Sequence, residues 1–182
     1  MLTSIFSPQQ CSTCKLCCNF HRSSSWETPF LEPDLVRQLQ VFHVELLKRP
    51  DGSFTFKLPF QTNSDSESAN CPMLDPSSGC RLPREQRPFE CRIWPLRVMR
   101  LETGSAVLGC YEACPALDAA TFAKLTDFAH VSLRQLIVDH AARFPQTIRS
   151  YHPHYRILEA LPELDGSDSS FAGTADNRSL SE

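Results

Sequence analysis

The chain has 182 residues, about one domain's length, and its 41% hydrophobic and 21% charged residues fit an ordinary globular protein able to bury a core. A net charge of -3 gives no electrostatic reason to expect nucleic acid as a partner. The opening "MLTSIFSPQQ" has no basic n-region, and no run of ~18 apolar residues is present, so the expectation is a cytoplasmic protein without a membrane partner.

The predicted elements begin after "CSTCKLCCNF", where Cys11, Cys14, Cys17 and Cys18 fall within eight residues. "HRSSSWETPF" reads as a loop or turn. In "LEPDLVRQLQVFHVELLKRP", Leu35, Leu39, Phe42 and Leu46 recur at intervals of three and four, a helical stripe. Pro33 and Asp34 suit its first turn and the Arg49-Pro50 step suits its end. "DGSFTFKLPF" opens on a turn and alternates Phe54, Phe56 and Leu58, which predicts a strand. A polar loop then leads to Cys71.

From Cys71 to Cys91 the chain is rich in Pro, Gly and Arg without a clear period, so it needs an external tether. "LRVMRLETGSAVLGC" predicts two short strands around Thr103-Gly104. Over Asp118 to Phe144, the apolar positions Phe122, Leu125, Phe128, Leu133, Leu136 and Ile137 predict one long helix, or two with a break near His130. A short helix is expected over Tyr155 to Leu161, and the polar, Gly- and Ser-rich end is read as a disordered tail.

The nine cysteines carry the chemistry. In a reducing compartment they do not persist as structural disulfides, and an odd number leaves one thiol over. Their spacing is Cys11-x2-Cys14-x2-Cys17-Cys18, then Cys71-x8-Cys80-x10-Cys91, then Cys110-x3-Cys114. A two-residue gap lets a tight turn aim both sulfurs at one point, about 2.3 Å from a zinc ion. Iron-sulfur clusters use the same gap. The Cys17-Cys18 pair favours a polynuclear site or two adjacent sites, because neighbouring residues chelate one tetrahedral ion poorly; one of the two could instead be a small buried apolar residue. Gly79 would let the backbone turn tightly beside Cys80.

"CSTCKLCC", "CPMLDPSSGC", "RPFECRIWPL" and "CPAL" together resemble the CxxCxxCC module of the YkgJ family, a zinc- or iron-chelating domain, over about Cys11 to Cys114. "CPAL" departs from it in lacking the glycine common after Cys-Pro. The resemblance implies eight metal ligands, Cys11, Cys14, Cys17, Cys18, Cys71, Cys80, Cys91 and Cys114, with Cys110 as the spare thiol. Arg87 and Arg92 lie inside the family motif and are expected to orient Cys91 or hydrogen-bond its surroundings, which makes them candidate cofactor-binding residues. The module is also similar to the cysteine-rich part of flagellin lysine methylases, which associate with an iron-sulfur cluster and methyl transfer.

The other arginines around Cys91, at 81, 84, 97 and 100, read either as a solvated basic face or as charges facing thiolates or an anionic substrate. His21 is read as a surface group rather than a ligand, and His152 and His154 as exposed rings in a helix-to-helix linker. The expected fold is α+β: a single small cysteine-rich, metal-tethered domain over 1–164, with irregular loops, short strands and flanking helices. It comprises a cysteine core at 11–114, a C-terminal helical part at 116–164 and then the tail at 165–182. The expected function is metal binding through clustered thiolates that hold an iron-sulfur cluster or zinc. A metal-dependent modification enzyme and a thiol redox sensor are the alternatives.

Overall fold

The computed structural model describes residues 2–6, 14–41, 43–60 and 67–166. Cys11, Phe42 and all but the first two residues of the expected tail lie outside that set. Helices and strands both occur, in separate small sheets, and the fold is α+β.

Its centre is a four-stranded sheet. Strands β7 (Leu96–Arg100) and β8 (Ala106–Tyr111) form the expected antiparallel hairpin, with Gly104 at φ 89° in the turn. β9 (Arg149–Ser150) adds parallel to β7 and β10 (Tyr155–Ala160) antiparallel to β8, giving the order β10-β8-β7-β9. Strand alternation splits the hairpin's side chains between two faces. Leu96, Val98, Ala106, Leu108 and Cys110 belong to one core, against Leu125, Leu133 and Ile137 of the helical segment. Met99 and Val107 belong to a second core with Tyr155, against Trp26.

The segment expected as one or two helices runs α-helix Ala119–Phe128, π-turn Ala129–Leu133, α-helix Arg134–Arg143. Asp118 caps its start by accepting a hydrogen bond from the Thr121 N–H at 2.7 Å. The irregularity falls at His130, where a wider turn replaces the expected break. Arg134 then grips Glu163 through two bonds of 2.8 and 3.0 Å, fixing the helices to the chain beyond β10.

Two expectations are corrected. Tyr155–Ala160 is a strand, not a helix, so the C-terminal part is α-helical through Arg143 and then returns to the sheet, with single 3-10 turns at Pro145–Thr147 and Pro162–Leu164. "YHPHY" accordingly links strands, not helices. Leu46 is not on the helical stripe: the helix is Pro33–Val41, and Leu46–Lys48 forms strand β2, paired with β3 (Phe54–Phe56). The reason is a Schellman end. His43 takes φ 55°, the Val44 N–H bonds to the Leu39 carbonyl and the His43 N–H to the Gln40 carbonyl. This helix and hairpin share a separate small core in which Leu31, Leu39 and Phe56 are almost fully enclosed.

Candidate thiol site

Three stretches of chain bring cysteines together, each by a local device. In the first, Lys15 sits at φ 54° and the Cys18 N–H bonds back to the Lys15 carbonyl, turning the chain through Leu16–Cys18. Strand β1 (Asn19–His21) then pairs with β4 (Ser68–Asn70), and the ladder continues when the Cys71 N–H bonds to the Cys18 carbonyl at 2.7 Å. That pairing places Cys71 beside Cys18 although 53 positions separate them, the difference between their residue numbers.

The second stretch is the tiny hairpin of β5 (Leu74–Asp75) and β6 (Gly79–Cys80). The Asp75 carboxylate accepts from the backbone N–H groups of Ser77 and Ser78 at 2.9 and 2.8 Å, holding the turn. Those bonds and both serine hydroxyls keep the carboxyl well below the usual carboxylate range. Gly79 closes the turn at φ 88°, the tight turn expected of it. The third stretch is the short helix Phe89–Ile93, which carries Cys91. Lys15 reaches across to donate from Nζ to the Pro76 carbonyl, joining the first stretch to the second.

Cys17, Cys18, Cys71, Cys80 and Cys91 all line one cavity of about 70 Å³. A single water needs roughly 10–15 Å³ by the same measure, so the space admits a small inorganic group. Cys91 lines the cavity and keeps accessible surface. The Cys17 and Cys18 sulfurs are 3.9 Å apart. Among the described residues, no three Cys, His, Asp or Glu side chains are drawn close enough together to hold a metal ion. The thiols thus share a chamber without being gathered at coordination distance.

Their protonation differs with surroundings. The hydrogen bond from Cys17 lowers the Cys18 pKa against the opposing effect of burial, and Arg87 adds to the lowering. Burial pushes Cys71 up to about 12 and raises Cys80 and Cys91, each also feeling the charge of neighbouring thiols. Thiolates are the form that ligates metals, and this wall consists mostly of protonated thiols. The donor set, four to five sulfurs around one small space, suits zinc or iron-sulfur chemistry.

The remaining candidates divide. Cys14 is partly exposed and Cys114 buried, and neither lines the cavity. Cys110 is fully enclosed in the sheet-helix core, where burial pushes its thiol up to about 12, with Cys114 as the next contribution. Arg87 lines the cavity and donates from Nε to the Leu82 carbonyl at 3.1 Å. Arg92 is not at the cavity: its guanidinium lies 5.4 Å from the Phe89 ring centroid and acts on Glu32 and His140. Consecutive residues of a helix point about 100° apart, so Arg92 and Cys91 face different directions. His21 is exposed and pairs with Glu67 at 2.6 Å. The His152 ring lies 5.8 Å from that of Trp26 and the His154 ring 6.5 Å edge-on from that of Tyr111, and neither histidine lines the cavity.

Sequence reasoning missed Glu90 and gave Arg97 no particular role. Both line the cavity, both are buried, and their charged atoms lie 3.4 Å apart. The Glu90 carboxylate also accepts from the Phe30 N–H and faces Arg149 at 3.7 Å. A usable signal for Arg97 was its place in "LRVMR", where alternation puts it on the same face as the buried Met99. Among the described residues, no helix is long and apolar enough to cross a membrane. No family model, curated protein or solved structure matches this chain, so the site is read from its own chemistry.

Proposed function

We propose that this protein binds metal through clustered cysteine thiolates, holding an iron-sulfur cluster or zinc, as its resemblance to the YkgJ-type CxxCxxCC family implies. The observation that carries the reading is the convergence of Cys17, Cys18, Cys71, Cys80 and Cys91 on one cavity from three separate stretches of chain. Thiols placed by chance in a fold have no reason to share a wall.

The bound group would supply a polarising or electron-accepting centre. The chain supplies the sulfurs, the Arg87 charge beside Cys18 and Cys80, and apolar walls that limit water. Because Cys71, Cys80 and Cys91 carry protons at neutral pH, loading must release them, and affinity rises with pH. Metal analysis with ultraviolet-visible spectra of anaerobically purified protein tests the proposal. At least one equivalent of iron or zinc per chain is expected; less than one overturns it.

A thiol redox sensor is the second reading, favoured by the depressed Cys18 pKa. The candidate pairs are Cys17 with Cys18, whose sulfurs lie 3.9 Å apart, and Cys110 with Cys114. Cysteine labelling distinguishes the two: oxidation that protects Cys18 in fully metal-loaded protein would favour the sensor.

A further inference from the structure

Besides the thiols, the cavity wall carries Glu90, Arg97 and Trp94. The positive charges acting on Cys18, Cys71 and Cys80 are Arg87 and Arg81, not Arg97. Arg97 is 3% exposed, an unusual depth for a guanidinium. Its Nη2 donates to the Glu27 carbonyl at 3.0 Å, but Nε and Nη1 have no hydrogen-bond partner among the described residues. Glu90 Oε1, 3.4 Å from Nη1, completes no hydrogen bond either.

Two further guanidinium groups crowd the same place. Arg49 and Arg149 both donate to the Thr28 carbonyl, at 2.6 and 3.3 Å, and Arg149 faces Glu90. Burial pulls Arg149 down to about 10, which leaves it cationic at neutral pH. The other carboxylates nearby are already engaged: Glu27 accepts from the Tyr155 hydroxyl at 2.9 Å and Asp51 from Ser53 at 2.9 and 2.6 Å. Leaving buried guanidinium N–H groups unmatched costs several kcal/mol per charge in general, so a fold that keeps them has a use for them.

We propose that this part of the cavity wall is a binding site for a small oxyanion, a carboxylate or phosphate-type group, held by the Arg97 Nε–H and Nη1–H groups that complete no hydrogen bond. Guanidinium N–H groups match the paired oxygens of such anions, which a point cation does not. The volume of about 70 Å³ admits a small anion. The site goes beyond metal binding and does not require it; with metal loaded, the anion would lie in the same chamber as the sulfurs.

Tryptophan fluorescence reads the site directly, because the chain has two tryptophans and the Arg97 guanidinium is 5.9 Å from the ring centroid of each. The protein, metal-loaded and chelator-treated in parallel, is titrated with inorganic phosphate and with acetate, against chloride at matched ionic strength. A saturable change with phosphate or acetate, absent with chloride, is expected. Arg97→Gln should weaken it at least tenfold, and Arg97→Lys, which keeps the charge without Nε, should weaken it too. If Arg97→Gln fails to fold by circular dichroism, Arg97→Lys carries the comparison. Responses that merely follow chloride, or a lysine variant that binds as tightly as the parent, overturn the proposal. Metal measured on the same samples separates the readings: full metal without anion binding sinks only this one, and anion binding without metal sinks only the other.

Discussion

At the residue scale, the cysteines separate by what surrounds them. Cys80 and Cys91 face the shared cavity, whereas Cys110 is enclosed among Leu96, Leu108 and Leu125. Cys80→Ser and Cys91→Ser should each remove at least half of the bound iron or zinc while leaving the far-ultraviolet spectrum unchanged. Cys110→Ser should keep the metal and lose stability, by about 1–3 kcal/mol, because its hydroxyl would enter an apolar core. Metal content and denaturant midpoints of the three variants check both halves. His140 offers a pH test independent of metal. Its ring stacks on Phe89 at 3.9 Å, and burial, helped by Arg92 and Arg143 against Glu90, lowers its pKa to about 4. The unfolded imidazole titrates near 6.5. Between those values the unfolded chain binds the extra proton, so stability falls as pH drops from about 6.5 to about 4 and then levels. Allowing for the ring's partial exposure, the loss is on the order of 1–2 kcal/mol. His140→Phe should flatten that part of the profile in denaturation series at pH 7, 5.5 and 4.5.

At the element scale, the sheet hairpin leaves a gap that only glycine fills. A Cβ on Gly109 of β8 would stand 3.1 Å from the Tyr155 Cβ and 3.4 Å from the Met99 sulfur. Met99 can shift, but the Tyr155 Cβ is fixed to the backbone of the paired strand, which cannot give without straining the ladder. Gly109→Ala is therefore expected to destabilise by about 1–3 kcal/mol, measurable by urea denaturation. The same strands show what was legible in the sequence. β7 and β8 were readable because alternation and a Gly turn act within 15 residues. Tyr155–Ala160 was not, since six residues satisfy both periods and pairing with β8 decides between them. Leu46 misled for a similar reason: it keeps the three- and four-residue spacing, but His43 in the left-handed region ends the helix first. Of the closely spaced first cysteines, Cys17 and Cys18 line the cavity and Cys14 does not. Arg97 and Glu90 stayed hidden because the chain covering that face of the sheet, with Trp26, Glu27 and Thr28, is far away in sequence and has no periodic signature.

For the whole molecule, the cavity joins parts that otherwise depend on different cores. Cys17 and Cys18 precede β1, Cys71 precedes and Cys80 ends a two-stranded hairpin of two residues a side, and Cys91 belongs to the helix that packs, through Phe89 and Ile93, on the main sheet. The first two parts have little apolar burial of their own: Phe20, Ala69, Met73 and Leu82 are their buried apolar side chains. The sheet and its helices have a continuous core from Leu96 to Leu164. A metal drawing the sulfurs together would thus stabilise the cysteine stretches far more than the sheet, because binding energy goes to whatever must be ordered to bind. Hydrogen exchange with and without chelator tests this. Removing metal should speed exchange at least tenfold in 16–21 and 68–82, while β7, β8 and the helices from 119 to 143 keep their protection. Uniform loss of protection would mean that the metal supports the entire domain; no change in 16–21 and 68–82 would mean that the thiols bind nothing that matters to the fold.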